Sequence, residues 1–166
     1  MKIKLNPTHS DKLIIQETLD ACNKALNWIS DVAWEKKCFN RVALHHLLYY
    51  ELREKFNLPS QIAISLKDKV CASYKADNSV KHTFKAKVLP LNFPRTAKLV
   101  SENVVSFNTL KGRLRIFMAL GDFQRQYLKD KSWKIRESEI VYSNHKYFLH
   151  LTVQKEAPDE ITPNGI

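Results

Sequence analysis

The sequence predicts an α+β fold: a small antiparallel β-barrel with three helices inserted after its first strand. Two observations predict it. Apolar residues recur at helical spacing over residues 8–78 and then switch to a period of two from about residue 79 onward. A short alternating segment, Lys2-Ile3-Lys4-Leu5, precedes the helical stretch and has strand character. Such a first strand can return to close the later barrel and so remove a sheet edge.

The first strand occupies residues 1–7 and is ended by Pro7. Thr8 or Ser10 can cap the first helix, with Asp11 in its first turn. Leu13, Ile14, Leu19, Cys22, Leu26, Ile29 and Ala33 carry its apolar period to about Lys36. Val42, Leu44, Leu47, Leu48 and Leu52 make a second helix. Pro59 suits the first turn of a third, where a missing N–H costs nothing. Ile62, Leu66, Val70 and Tyr74 carry that helix, and Asp77-Asn78-Ser79 ends it.

Residues 79–155 supply the rest of the barrel in about five strands. Thr83–Leu89 alternates Phe84, Ala86 and Val88 with Lys85 and Lys87, and Pro90 closes the run. Val104–Phe107 and Arg113–Phe117 form a hairpin turned through Thr109-Leu110-Lys111-Gly112. Asp122–Lys131 is a short helix or loop. Trp133–Tyr142 and Lys146–Val153 form a second hairpin, and the latter strand is the expected partner of the first strand. Residues 156–166 have two prolines and no periodicity, so they read as a linker.

Composition narrows the function. A chain of 166 residues with 44% apolar residues and three Gly is long enough for a packed core. Net charge is +10 with a pI near 9.5, which favours an anionic partner. Thirteen basic and three acidic residues lie between Lys81 and Arg136, so that stretch accounts for the net charge. A solvated basic face would explain the lysines alone. Interleaved Phe84, Phe93, Phe107, Phe117, Phe123, Tyr127 and Trp133 add what base stacking needs.

Cys22, Cys38 and Cys71 are odd in number and form no Cys-x-x-Cys pair, which supports neither a zinc ribbon nor a disulfide framework. No apolar run approaches the roughly 20 residues of a membrane span, and the N-terminus lacks a signal-peptide core. A cytoplasmic protein without a membrane partner is expected.

Candidate catalytic sets are weak. The carboxylates are scattered, whereas a two-metal nuclease needs several converging on its ions. His45 and His46 are adjacent and point about 100° apart on a helix, which suits no shared metal. There is no Gly-rich phosphate loop and no nucleophile elbow. Neither metal nor other cofactor is expected, and no catalytic residue is assigned. Asn27-Trp28 reads as core packing for the indole, with Asn27 satisfied by a neighbouring backbone. Of Tyr49 and Tyr50 at most one is core, and the other can hold its hydroxyl near solvent or a phosphate.

Several runs together carry a family likeness. They are Ala25-Leu26-Asn27-Trp28, the Tyr49-x-Glu51-x-Arg53 run, Leu58-Pro59-Ser60-Gln61, Ala72-Ser73-Tyr74-Lys75, the Ser106–Arg113 hairpin and Tyr147–Val153. In this order the chain resembles the N-terminal part of TnpB, the transposon-encoded, RNA-guided DNA nuclease related to type V CRISPR effectors. The resemblance runs from Leu5-Asn6-Pro7 to Gly165-Ile166, about where that family's RuvC-like nuclease half begins.

The resemblance implies an oligonucleotide-binding-like wedge barrel with a recognition lobe of inserted helices, together holding guide RNA and target DNA. It implies that Asn40, Arg41, Ser60, Gln61, Lys67 and Ser101 lie in segments touching a short motif beside the target. Tyr50, Lys75, Lys85, Lys87, Lys98, Lys111, Arg113 and Arg115 complete the candidate nucleic-acid contacts. It also implies a nuclease domain normally present in cis and missing here, so that this chain binds without cutting.

The alternative is a stand-alone DNA-binding or interaction protein, repressor-like, that needs no guide RNA. A third class is an enzyme whose site is assembled from scattered residues. Guide RNA that resists a high-salt wash favours the first reading, and duplex binding without RNA favours the second.

Overall fold

The computed structural model describes residues 1–155; the linker expected over 156–166 lies outside the described residues. Strand β1 (Lys2–Asn6) leads into three helices, α1 (His9–Lys36), α2 (Arg41–Phe56) and α3 (Ser60–Ala76). Then follow β2 (Val88–Leu91), β3 (Ala97–Ser101), β4 (Val104–Thr109), β5 (Gly112–Ala119), α4 (Asp122–Lys129), β6 (Trp133–Ser143) and β7 (Lys146–Lys155). The fold is α+β, with three helices between the first and second strands of an antiparallel, nearly closed, barrel-like sheet. Among the described residues no helix is long and apolar enough to cross a membrane.

The helix termini follow local chemistry. The Thr8 hydroxyl accepts the Asp11 N–H at 3.2 Å, and the Asp11 carboxylate accepts the Thr8 N–H at 3.4 Å, a reciprocal capping box. Of the two candidate caps, Thr8 is therefore the one used. Asn40 caps α2 by accepting the Val42 and Ala43 N–H groups, each at 3.0 Å. Lys37 and Asn57 close α1 and α2 in left-handed conformations, with φ of 49° and 51°. Pro59 stands one residue before the first turn of α3, at its cap. The Asp77 carboxylate folds back onto the Ser79 N–H and hydroxyl at 2.9 and 2.6 Å, which ends α3 as expected.

The buried stripe of α1 is Ile15, Leu19, Cys22, Leu26, Ile29 and Ala33, alternating steps of four and three. Leu13 falls off that stripe and is 62% exposed, contrary to its expected place in the apolar seam. On α2 only Leu44, Leu48 and Leu52 are buried, while Val42 and Leu47 face outward. The seam of α2 is narrow because the helix packs on α1 and α3 along one edge. Ile62, Leu66, Val70 and Tyr74 of α3 are all buried, as their spacing predicts.

The sheet order is β2-β6-β7-β1-β5-β4-β3, antiparallel throughout. Strand β1 pairs with β7, the expected partner, with Ile3 opposite Leu149. It also pairs with β5 on its other side, with Leu5 opposite Met118. The edge strands β2 and β3 are consecutive in sequence and joined by residues 92–96 alone. That tether spans at most about 3.6 Å per residue, so the two edges are drawn together and the sheet curls. The tether is tied within itself: Thr96 Oγ1 accepts the Asn92 N–H at 2.8 Å, and the Thr96 N–H donates to Asn92 O at 2.7 Å. Ile3, Leu5, Phe107, Ile116, Ile140 and Leu149 point inward and are essentially inaccessible.

Two strand expectations require correction. Residues 83–87 form no strand and pair with none, the chain bending at Ala86; β2 begins at Val88 and contains Pro90. Proline is tolerated there because β2 is an edge strand. The alternation of Phe84, Ala86 and their lysine neighbours arises from a strap laid along α1. Asn27 Oδ1 accepts the Phe84 N–H at 2.8 Å and Asn27 Nδ2 donates to Phe84 O at 3.0 Å. Asn23 Nδ2 donates to Phe84 O at 2.9 Å, and Ser30 Oγ donates to His82 O at 2.5 Å. Helix side chains thus supply the bonds that a ladder would otherwise make. The second correction is β3, which was not anticipated and raises the strands after the helices to six. Its five residues, Ala97–Ser101, alternate too weakly to stand out.

Asn27 satisfies both backbone groups of Phe84, so its loss leaves a half-buried N–H without its partner. Asn27→Ala is expected to lower unfolding free energy by about 1–3 kcal/mol, read as a lower urea midpoint at constant m. Asn27→Asp, which keeps the acceptor and loses the donor, should fall between. A wild-type midpoint for the alanine variant would remove the strap from the stability argument.

Candidate nucleic-acid interface

Strand alternation sorts the barrel's cations. In β1, β5, β4 and β3, which are neighbours in that order, the charged residues are Lys2, Lys4, Arg113, Arg115 and Lys98, and there is no Asp or Glu. All five are exposed, while the residues alternating with them on β1 and at Ile116 are buried. Register places Lys98 opposite Ser106 and Ser106 opposite Arg115, so one row crosses three strands. Arg113 is held in place: Nη1 donates to Ser106 Oγ at 3.2 Å and Nη2 to Arg95 O at 3.1 Å. Lys4 lies opposite Ala119 and extends the positive face onto β1.

Lys111 sits in the β4–β5 turn. There the Thr109 hydroxyl accepts the Lys111 N–H at 3.1 Å and donates to Gly112 O at 2.7 Å. Gly112 has φ of 96°, a conformation that side-chain-bearing residues rarely adopt. The Lys111 ammonium lies 4.0 Å from Glu17 of α1. Leu110 donates its N–H to Thr18 Oγ1 at 3.3 Å, which fastens the turn to the same helix.

The helical candidates form a separate group on α2 and α3. Arg41 grips Asp68 with Nε and Nη2 at 3.1 and 2.8 Å, and the carboxylate raises the guanidinium pKa. Lys67 is buried; its Nζ lies 3.1 Å from Asp68 Oδ1 and donates to Arg41 O at 3.3 Å. Arg41, Lys67 and Asp68 therefore form one knot beside the Asn40 cap. Tyr49 Oη is 2.9 Å from Ser60 Oγ, and the Tyr49 ring stacks on His45 at 4.4 Å. Burial, Lys67 and His46 lower the His45 pKa. Tyr50 points outward and is 82% exposed, so the tyrosine pair divides as its helical angle requires.

The remaining candidates are dispersed. Gln61 is half-buried beside Ser60, and Lys75 is exposed in the last turn of α3. Lys85 and Lys87 are exposed on the strap, where Lys87 pairs with Asp20 of α1. Ser101 donates to Asn103 Oδ1 at 3.3 Å where β3 turns into β4. The fold thus gathers Lys98, Arg113 and Arg115 on one face and Asn40, Arg41 and Lys67 in another place. Lys2 and Lys4, which are not among the candidates the sequence offers, join the first face. Their outward alternation was legible, but their place beside β5 depends on long-range pairing.

A groove of about 770 Å³ separates α3 from β2, β6 and β7. Across it Lys69 reaches Glu139 at 3.3 Å, and Glu139 stands 3.9 Å from His150. Among the described residues no group of three or more His, Cys, Asp or Glu side chains is placed to hold a metal ion. Burial pushes the Cys22 thiol up to about 12 and raises that of Cys71 as well.

No protein-family model matches this sequence, and no curated protein matches it.

Two outcomes follow from these environments. Asp68→Ala leaves the buried Lys67 ammonium with one carbonyl partner and should cost about 2–4 kcal/mol. Arg41→Ala removes an exposed pair and should cost at most about 1 kcal/mol. Equal losses on denaturation would deny that Lys67 makes the knot matter. Thiol labelling of the native protein at mildly alkaline pH should modify Cys38 first, because Cys22 and Cys71 are buried and protonated. Early modification of Cys22, located by peptide mass, would contradict its burial.

Proposed function

We propose that this chain binds nucleic acid through the outward face of β1, β5, β4 and β3, as the guide-RNA- and target-DNA-holding module of a TnpB-like RNA-guided nuclease. The single observation that carries the reading is the five outward cations on β1, β5 and β3, which together with the intervening β4 hold no acidic residue. Cations on a curved sheet follow a phosphate backbone without reading sequence, and they release counterions as they bind. Arg113 suits such a contact because two hydrogen bonds already hold its guanidinium, so less freedom is lost on binding. In this reading α2 and α3 supply the second surface, toward the motif beside the target. Tyr50, the Arg41 guanidinium and Lys75 are exposed there.

The function so proposed is binding and positioning; in the whole nuclease, cutting belongs to the other half. RNA held by the barrel face would orient a heteroduplex against the helices, with sequence specificity carried by base pairing. The repressor-like alternative uses the same cations on duplex DNA and needs no RNA.

Lys4→Glu, Lys98→Glu and Arg115→Glu together should weaken structured-RNA binding at least tenfold. They should also lower the slope of log affinity against log salt by about 0.7–0.9 per contact. Reversal of Lys12, Lys24 and Lys36, all on α1, is the matched control and should have a much smaller effect. Equal losses for the two triple variants would refute a localised face. Tight duplex DNA binding by RNA-free protein would favour the repressor-like alternative.

A further inference from the structure

Phe117 stands in the middle of the basic face and is 60% exposed. A single exposed aromatic residue is ordinary by itself; the surroundings of this one are not. Its in-register neighbours are Val104 on β4 and Asn6 on β1, both short, so neither covers the ring. Arg115 lies two residues earlier on the same face of β5, about 7 Å away along the strand. Lys4 lies diagonally across on β1, opposite Ala119, about 7–8 Å from Phe117. The ring thus has a cation on either side and no acidic residue on its own or the two flanking strands.

The other exposed rings, Tyr50 (5.3 Å from Tyr49) and Phe123, and several half-exposed ones differ in one decisive respect. Phe148 carries the Lys2 ammonium over its face at 4.1 Å. Phe123 is 66% exposed but meets Tyr127 edge to face at 4.9 Å. Tyr127 in turn meets Trp133 at 4.9 Å, and Trp133 has Lys155 over its ring at 5.7 Å. Phe117 has neither an aromatic nor a cationic partner among the described residues.

We propose that Phe117 is a stacking platform for one unpaired nucleobase, with Arg115 and Lys4 holding the phosphates on either side of it. The ligand class is single-stranded nucleic acid, not duplex, because only an unpaired base can turn its face onto a ring in the sheet surface. Charge complementarity selects this occupant: a protein partner seated on Phe117 would have to cover Arg115 and Lys4 as well, at a desolvation cost. This inference rests on the nucleic-acid reading above and adds a site and a strandedness to it.

The test uses the full chain and a pyrimidine-rich RNA of about ten nucleotides, one copy carrying a 2-aminopurine reporter and a second carrying abasic positions. The wild type should bind the base-bearing strand more tightly than the abasic one and quench the reporter. Phe117→Ala and Phe117→Leu should each weaken binding of the base-bearing strand roughly ten- to a hundredfold. Both should abolish the difference between the two strands and leave the salt slope unchanged, since no phosphate contact is removed. Phe117→Trp should retain both the affinity and the quenching.

Alanine and leucine variants that bind and quench like wild type would overturn the platform while leaving the nucleic-acid reading standing. Equal weakening of single-strand and duplex binding would overturn it too, by showing contact without stacking. A wild-type protein that binds neither strand at low salt would remove the nucleic-acid reading itself, and the platform with it.

Discussion

Strand β1 joins two halves that otherwise share no ladder. On one side β5, β4 and β3 form a continuous meander; on the other stand β7, β6 and β2. The two sets are bonded into one sheet by the five residues Lys2–Asn6, which pair with β5 and β7 at once. The pairing is extended by Met1, whose amino group donates to Leu151 O and whose carbonyl accepts the Leu151 N–H, both at 2.8 Å. Ile3 and Leu5 are buried beneath this seam. Both partners lie more than a hundred residues away, so the seam forms against a large loop-closure entropy. It forms because the intervening chain is mostly a packed helical bundle and not a free loop.

That bundle is tied to the barrel by a polar stripe on one helix. Asp20, Asn23, Asn27 and Ser30 recur at intervals of three and four along α1, with Asp31 next to Ser30, and together they face the strap of residues 81–87. Ser30 also meets Tyr74 Oη at 2.7 Å, and Tyr74 stacks on His82 at 4.3 Å, which joins α1, α3 and the strap in one place. Helix α1 therefore has two working faces. The apolar one packs the bundle, and the polar one replaces the strand that the strap lacks. A half-satisfied network of this kind would be worse than none. Among the described residues no buried side-chain polar atom is left without a partner.

Charge is arranged by the same geometry. Strand alternation turns every lysine and arginine of β1, β3 and β5 outward, and the sheet order then makes those strands near neighbours. The acidic residues that offset positive charge lie off these three strands: Asp20 and Asp31 along the strap, Asp68 in the helical knot, Glu139 across the groove, Glu17 beside Lys111 and Glu102 in the β3–β4 turn. A face free of acids results without any run of like charges in the sequence. Its potential is a property of the assembled sheet.

Much of this was legible from residue order. The capped α1, the Asn40 start of α2, the Ile62–Tyr74 stripe and the β4–β5 turn at Gly112 each follow from interactions within a few residues. So does the outward alternation of Lys2 and Lys4, and the split of Tyr49 from Tyr50. Three features were decided only by the tertiary structure. The strap at 83–87 has strand-like alternation, yet its hydrogen bonds go to Asn23 and Asn27, more than fifty residues upstream. β3 exists because β4 offers it a ladder, not because its own five residues favour a strand. The joining of Lys4, Phe117, Arg115 and Lys98 on one surface needs β1 to lie beside β5. Local periodicity states which way a side chain points; which strands become neighbours is set by burial and hydrogen bonding between segments far apart in the chain.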